Sequence, residues 1–264
     1  MASRRFSGDV ECFGFADDPA GRARRGRRIV ALLSRFHRDD LSSLRVLDVG
    51  CSAGLITAEI SRHVASAVGI DPEFAAVRRA QSAAAVRGNL VFVCGRGEAL
   101  PFADGSFDIV VCNHVYEHAA DPWVMMREIA RVLRADGACF FAGGHTLQLI
   151  EPHYRLPLLS LLPRPLASAV VRATGSGDGY EIRFLPPWRL PGLFVAFERM
   201  RPLNAEVLRD PARYGLTDGV MRHRAVRAIA RALAPLVAFA APTQLWLLTR
   251  PHAPRPGRTP SGAD

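Results

Sequence analysis

The stretch Val46-Leu47-Asp48-Val49-Gly50-Cys51-Ser52-Ala53-Gly54 runs an apolar strand into a glycine-bearing turn, and Leu55 to Val64 follows with helical spacing. Glycine at 50 and 54 lets a backbone turn sharply and approach a ligand closely. The helix after it presents free N–H groups to that ligand. Many nucleotide-binding folds share such a strand–turn–helix unit. Asp71 stands 21 residues after Gly50, at the end of the next apolar run, Ala67 to Ile70. An acidic group there can accept both hydroxyl protons of a ribose. As a plain structural residue, the same Asp would start a turn before Pro72.

Outward from that unit the alternation continues. Phe74 to Val86 is Ala-rich and helical, Leu90 to Cys94 and Phe107 to Cys112 are strand-like, and Pro122 to Leu133 is helical with Asp121 placed to cap it. Ala138 to Ala142 makes a fifth strand. Strands and helices alternating at this spacing imply right-handed crossovers and a parallel sheet covered on both faces. The rhythm breaks at 145–187, a Leu/Pro/Arg-rich stretch read as an inserted lid with short helices. It resumes with a sixth strand at Leu193 to Phe197, a helix at Asp218 to Ala240 interrupted near Pro235, and a seventh strand at Gln244 to Thr249. The expected organisation is an N-terminal arm and helix over 1–43, one α/β domain over 44–250, and a disordered Pro/Gly/Arg tail over 251–264. Residues 1–21 read as an extended arm. The Arg run Arg22 to Arg28 reads as a solvated helix start, with a phosphate or membrane-surface site as its alternative.

The 264 residues carry a net charge of +9, which invites a nucleic-acid reading. All 34 basic residues are Arg, however, amid abundant Ala, Gly and Pro, so composition bias explains the charge and no nucleic-acid partner is expected. The charge and the 145–187 stretch permit peripheral contact with anionic lipid. Cys12, Cys51, Cys94, Cys112 and Cys139 form no C-x-x-C pair and read as reduced thiols of a cytoplasmic protein. The first residues lack the apolar run of a signal peptide, and no apolar stretch reaches membrane-spanning length.

Several linked motifs then carry a resemblance. VLDVGCSAG, GIDP, GEALPFADGSFDIVVCNHVYEH and DPWVMMREIARVLRADG, in that order over residues 44–145, resemble the class I methyltransferases of the type 11 family. The resemblance implies a Rossmann-like seven-stranded, mostly parallel sheet with the last strand antiparallel, and S-adenosylmethionine as cofactor. It places the backbone near Gly50 and Cys51 against the methionine part, with Ser52 and Gly54 in the same cofactor loop, Asp48 beneath the loop, and Asp71 on the ribose. Glu98 and Ala99 border the adenine, and Asn113 and His114 lie beside the methyl group. Relatives often read G-D-A where this chain has Gly95, Arg96 and Gly97, so the adenine contact falls to the backbone around Gly97 or to Glu98. Asp108 is read as structural.

Ligands of open parallel sheets sit beyond the carboxyl ends of the strands. His118 follows the fourth strand, His145 follows Gly143 and Gly144 after the fifth, and His153 opens the insertion. Histidine suits proton removal near neutral pH, so these three are the candidate bases, each with a bracing role as its alternative. The two glycines would leave room for an acceptor. No metal site is expected, because no His/Cys/Asp cluster has ligand spacing in the sequence. The resulting expectation is an O-methyltransferase acting on a small-molecule or glycan- or lipid-linked acceptor. Its rivals are N- or C-methylation of a quinone, lipid or amine, and a non-catalytic binding protein.

Overall fold

The computed structural model describes residues 19–36, 40–84, 87–214 and 219–251. Its elements run α1 (Pro19–Phe36), β1 (Arg45–Val49), α2 (Leu55–Ile60), β2 (Ser66–Asp71), α3 (Phe74–Ala84), β3 (Leu90–Cys94), β4 (Phe107–Asn113), α4 (Pro122–Val132) and β5 (Leu133–Gly144). Then follow α5 (Arg164–Ala173), β6 (Phe197–Pro202), α6 (Asn204–Arg209), α7 (Arg224–Ala232), α8 (Ala234–Val237) and β7 (Thr243–Pro251). One seven-stranded sheet has the order β3-β2-β1-β4-β5-β7-β6. The first five strands pair in parallel, and β7 runs antiparallel to both β5 and β6. This is the Rossmann-like sheet that the sequence implies. No helix among the described residues is long and apolar enough to cross a membrane.

The near-continuous apolar runs of β1 and β4 follow from burial on both faces. Val46, Ile109, Val111 and Phe140 point to one face, where they meet Ile29, Leu32 and Leu33 of α1, Ile60 of α2 and Val77 of α3. Leu47, Val110, Cys112 and Phe141 alternate to the other, against Met125, Met126 and Ile129 of α4. The Asp121 carboxylate caps α4 by accepting from the Trp123 and Val124 amides, with Pro122 pre-set at the first turn.

Several boundaries differ from the sequence reading, among them β5, which begins at Leu133, and the expected 218–240 helix, which divides into a 3-10 turn, α7 and α8. The sixth strand is β6 at Phe197–Pro202, while Pro187–Phe194 forms a 3-10 turn that buries Leu190, Leu193 and Phe194. Pro191 cannot donate to a ladder, so the apolar run turns rather than extends. The strand proper is a charged sheet edge, where arginines that discourage edge-to-edge pairing also hide the strand pattern. Helix α1 begins at Pro19, so the Arg run lies inside the helix. Within it Arg28 donates to the Tyr214 carbonyl at 2.9 Å. Pro251 belongs to β7. Of the expected arm and tail, residues 1–18 and 252–264 lie outside the described residues.

The 145–187 stretch leaves the carboxyl end of β5 and builds a small core of its own from Leu159, Ala167, Val171, Tyr180 and Ile182. It folds back onto the loop after β4. The Arg183 amide donates to the Glu117 carbonyl at 3.0 Å, and the Leu185 amide to the Tyr116 hydroxyl at 3.2 Å. The segment therefore lies over the end of the sheet where an open α/β fold binds its ligands.

Candidate functional site

The loop from β1 to α2 is built around two glycines with left-handed backbones, Gly50 at φ +72° and Gly54 at φ +74°. A side chain at Gly50 would also strike Val115, whose Cγ2 lies 2.5 Å from an ideal Cβ position. The glycine thus admits both the turn and the close approach of the loop after β4. The Gly50 and Cys51 amides donate to the Ile70 carbonyl, tying the loop to β2. Asp71 completes the tie: its Oδ2 accepts from the Ser52 amide at 2.8 Å and its Oδ1 from the Glu73 amide at 2.9 Å. Each carboxylate oxygen has two acceptor positions. One on each stays available to a vicinal diol, and the residue is only half-buried. A glycine-shaped loop beside an outward-facing, pre-positioned carboxylate is a set that fits a ribose-bearing sulfonium cofactor.

Asp48 lies buried beneath that loop, where Oδ2 accepts from the Thr57 hydroxyl at 2.6 Å. Desolvation, helped by repulsion from Asp71, pushes its pKa up to about 7, against the pull of the Thr57 bond and of Arg22. Glu98, expected at the adenine border, is tied to the neighbouring loop. Its Oε1 accepts from the Ala120 amide at 2.8 Å, bracing the loop before β4 to the loop after it. Asp108 sits at the opposite end of β4, accepting from the Arg45 amide at 2.8 Å and pairing with Arg134 at 3.3 Å, as a structural residue would. A shallow concavity lined by Gly105, Arg134, Ala135 and Asp136 lies at that same far end and holds none of the expected site residues.

Asn113 closes β4, and His114 follows with a left-handed backbone, φ +57°. The His114 Nδ1 meets Glu117 Oε1 at 3.1 Å. The three candidate bases separate. His118 and His153 come together, Nε2 to Nε2 at 3.2 Å, with rings 4.9 Å apart and nearly perpendicular. His145 does not join them. It is fully buried, its Nε2–H donates to the Ala241 carbonyl at 2.8 Å, and its Nδ1 accepts from the Leu147 amide at 3.1 Å. Both ring nitrogens are engaged, and burial lowers its pKa although the Ala241 bond raises it. The expected room above Gly143 and Gly144 is likewise filled. A Cβ at Gly143 would meet the Tyr116 ring at 2.6 Å, and one at Gly144 the Phe184 ring at 2.4 Å. Those glycines admit aromatic packing, not an acceptor.

Residues 47–141 match the family model described as a methyltransferase domain. This segment belongs to the type 11 methyltransferase family. An uncharacterized methyltransferase of Bacillus subtilis is 41% identical over 95 residues, which is 35% of this chain and 38% of that protein. A ubiquinone biosynthesis O-methyltransferase of Parvibaculum lavamentivorans is 32% identical over 128 residues, 46% of this chain and 49% of that protein. The chain thus spans less than half the length of these curated relatives. Among solved structures, the [4+2]-cyclase SpnF superposes with a TM-score of 0.54 at 19% identity, covering 85% of this chain and 81% of that one.

Outside the methyltransferase segment, two residues to which the sequence reading gave no role, Glu151 and Phe184, pack on the histidine pair. Tyr116, inside it, was passed over as well. Glu151 is fully buried, holds His153 Nδ1 at 2.8 Å through Oε1, and accepts from the Tyr154 amide through Oε2. Phe184 packs its ring 5.9 Å from that of His153. The Tyr116 hydroxyl donates to the Gly144 carbonyl at 2.6 Å, clamping the methyltransferase loop to β5, and its burial raises its pKa. The signal available for Glu151 was an acidic residue close in sequence to a candidate histidine, in Glu151-Pro152-His153. The other two are anchored by contacts distant in sequence.

Proposed function

We propose that this chain binds S-adenosylmethionine on the β1–α2 loop and transfers the methyl group to a small hydroxyl-bearing acceptor. The observation that carries the reading is the Gly50–Gly54 turn held by Asp71, within a segment of methyltransferase family. The cofactor supplies an electrophilic methyl on a sulfonium when bound. The chain's own part is positioning and proton management. The loop backbone and Asp71 fix the donor, which converts a bimolecular encounter into an oriented one. The acceptor oxygen forms its bond to the methyl carbon as the carbon–sulfur bond breaks, and its proton must leave. His118 and His153 border the same end of the sheet and are placed to manage that proton.

Methylation at oxygen is favoured by the ubiquinone biosynthesis O-methyltransferase among the relatives. Glycan- or lipid-linked hydroxyls fit the same chemistry, with nitrogen or carbon methylation of a quinone, lipid or amine as the alternative. The 145–187 segment is read as the lid over the acceptor. It exposes Leu149, Ile150 and Leu166 by 77%, 62% and 57% beside Arg155 and Arg164, a surface that suits an amphiphilic acceptor or an anionic lipid surface. The unpaired Cys51, Cys94, Cys112 and Cys139 accord with a cytoplasmic setting. The fold alone does not decide for catalysis of methyl transfer, since a cyclase shares it. Incubation with methyl-labelled cofactor and a panel of hydroxylated aromatics, saccharides and isoprenoids tests the reading. Label in an ether product is expected. Cofactor binding with no labelled product from any panel member or cell extract would leave a non-catalytic binding protein instead.

A further inference from the structure

Two imidazoles and one carboxylate converge where the loop after β4 meets the start of the 145–187 segment. Glu117, His118 and His153 each present a ligand atom within 4.8 Å of the others. Their placement has the geometry of a coordination sphere. Two metal–nitrogen bonds of about 2.1 Å, at angles between octahedral and tetrahedral, hold their nitrogens about 3.0–3.4 Å apart. The His118 and His153 Nε2 atoms are 3.2 Å apart.

The carboxylate supplies a second, independent observation. Glu117 is fully buried. His114 takes up Oε1, while Oε2 has no hydrogen-bond partner among the described residues. A buried carboxylate oxygen without a donor calls for a cation or water that the protein itself does not provide. Glu151 adds the outer shell. Its carboxylate on His153 Nδ1 fixes the proton there, so the Nε2 lone pair faces the cluster. His118 either donates an Nε2–H to that lone pair or, in its other tautomer, turns a second lone pair toward it, and the second arrangement is the one a cation would hold.

We propose that Glu117, His118 and His153 bind one divalent first-row transition ion, with Glu151 as the outer-shell orienter of His153. Two imidazoles and a carboxylate suit Zn2+, Fe2+ or Mn2+. Three protein ligands leave coordination positions for exchangeable oxygen ligands, and the solvent-open edge of His118 gives them entry. The reach of His153 from the lid makes the ion a latch between lid and core. Resting further on the methyl-transfer reading, the exchangeable ligand is the acceptor hydroxyl. The two histidines then act through the ion rather than as free bases: coordination lowers the hydroxyl's pKa, its O–H bond breaks with the proton passing to solvent, and the oxygen keeps the electron pair for attack.

The test uses the full chain freed of metal by a chelator and titrated calorimetrically with Zn2+, with Co2+ absorption as a report on coordination. One equivalent is expected, with an absorption band of a low-symmetry Co2+ site. His153→Ala and Glu117→Gln should each weaken binding at least about a hundredfold. Glu151→Gln should weaken it about 10- to 100-fold. His63→Ala, on an exposed position outside the cluster, should bind as the parent does. Circular dichroism of each metal-free variant confirms that it is folded. The proposal is overturned if the folded parent binds no Zn2+, which leaves a proton shared between the two histidines, or if folded His153→Ala and Glu117→Gln bind undiminished. A parallel titration with S-adenosylmethionine separates the two readings, because failure there removes the methyl-transfer role and leaves the ion site standing.

Discussion

Replacing Asp48 with asparagine should change how the stability of this chain depends on pH, in a direction fixed by the burial of that carboxyl. In the folded chain the pKa of Asp48 stands near 7, against 3.8 for an ordinary aspartate, chiefly through desolvation beneath the β1–α2 loop. Between those two values the folded state binds a proton that the unfolded chain has released. Stability from this group is therefore fully present below about pH 4 and is lost as pH rises through about 7. Each pH unit inside the window corresponds to about 1.4 kcal/mol, so the parent should lose about 2.5 kcal/mol from this group between about pH 5 and pH 8. Asparagine has nearly the same shape and no charge, and its amide oxygen can still accept from the Thr57 hydroxyl.

The difference in unfolding free energy, Asp48→Asn minus parent, should accordingly grow by about that amount from pH 5 to pH 8 and level off beyond. Any penalty from the extra amide hydrogens is independent of pH, so the slope and not the offset is the reading. Urea unfolding followed by tryptophan fluorescence at several pH values measures it. A difference that stays flat, or that grows on acidification, would refute the argument. It would mean that the loop solvates an ionised Asp48 better than its burial and its Asp71 neighbour allow.

Asp71→Ala should weaken S-adenosylmethionine binding by about 1.5–3 kcal/mol, read by calorimetry, through loss of a charged acceptor; unchanged affinity would take Asp71 out of the site. His145→Ala should cost about 1–3 kcal/mol of stability by stranding buried partners, yet keep turnover near the parent's when assayed well below its melting temperature. His118→Ala or His153→Ala should instead lower turnover about a hundredfold or more with little effect on cofactor affinity. Equal turnover losses for all three would contradict the separation seen here. Flotation with anionic vesicles at low salt should carry the protein upward through the exposed leucines and arginines of the lid, and retention in the soluble fraction would end the membrane reading.

The parts of this molecule that were legible in sequence are those whose causes are local. The β1–loop–α2 unit declares itself because the left-handed turns at Gly50 and Gly54 need glycine, and because Asp71 must end a strand to reach the Ser52 amide. Asp121 and Pro122 mark the start of α4 for the same kind of reason. What misled were residues whose meaning depends on distant partners. Gly143 and Gly144 look like open space until Tyr116 and Phe184 fill it. His145 looks like a base until Ala241, 96 residues away, occupies Nε2. His118 and His153 gave no ligand spacing, being 35 residues apart, and only the return of the 145–187 segment onto the loop after β4 makes them neighbours. The burial of two carboxylates, Glu117 and Glu151, behind those histidines is equally a product of that return. Burying two acids side by side with two imidazoles is costly unless each is paired. Three of their four carboxylate oxygens have donors or histidine nitrogens, and the fourth, Glu117 Oε2, has none, in a residue whose carboxylate belongs to the cluster that the fold alone assembles.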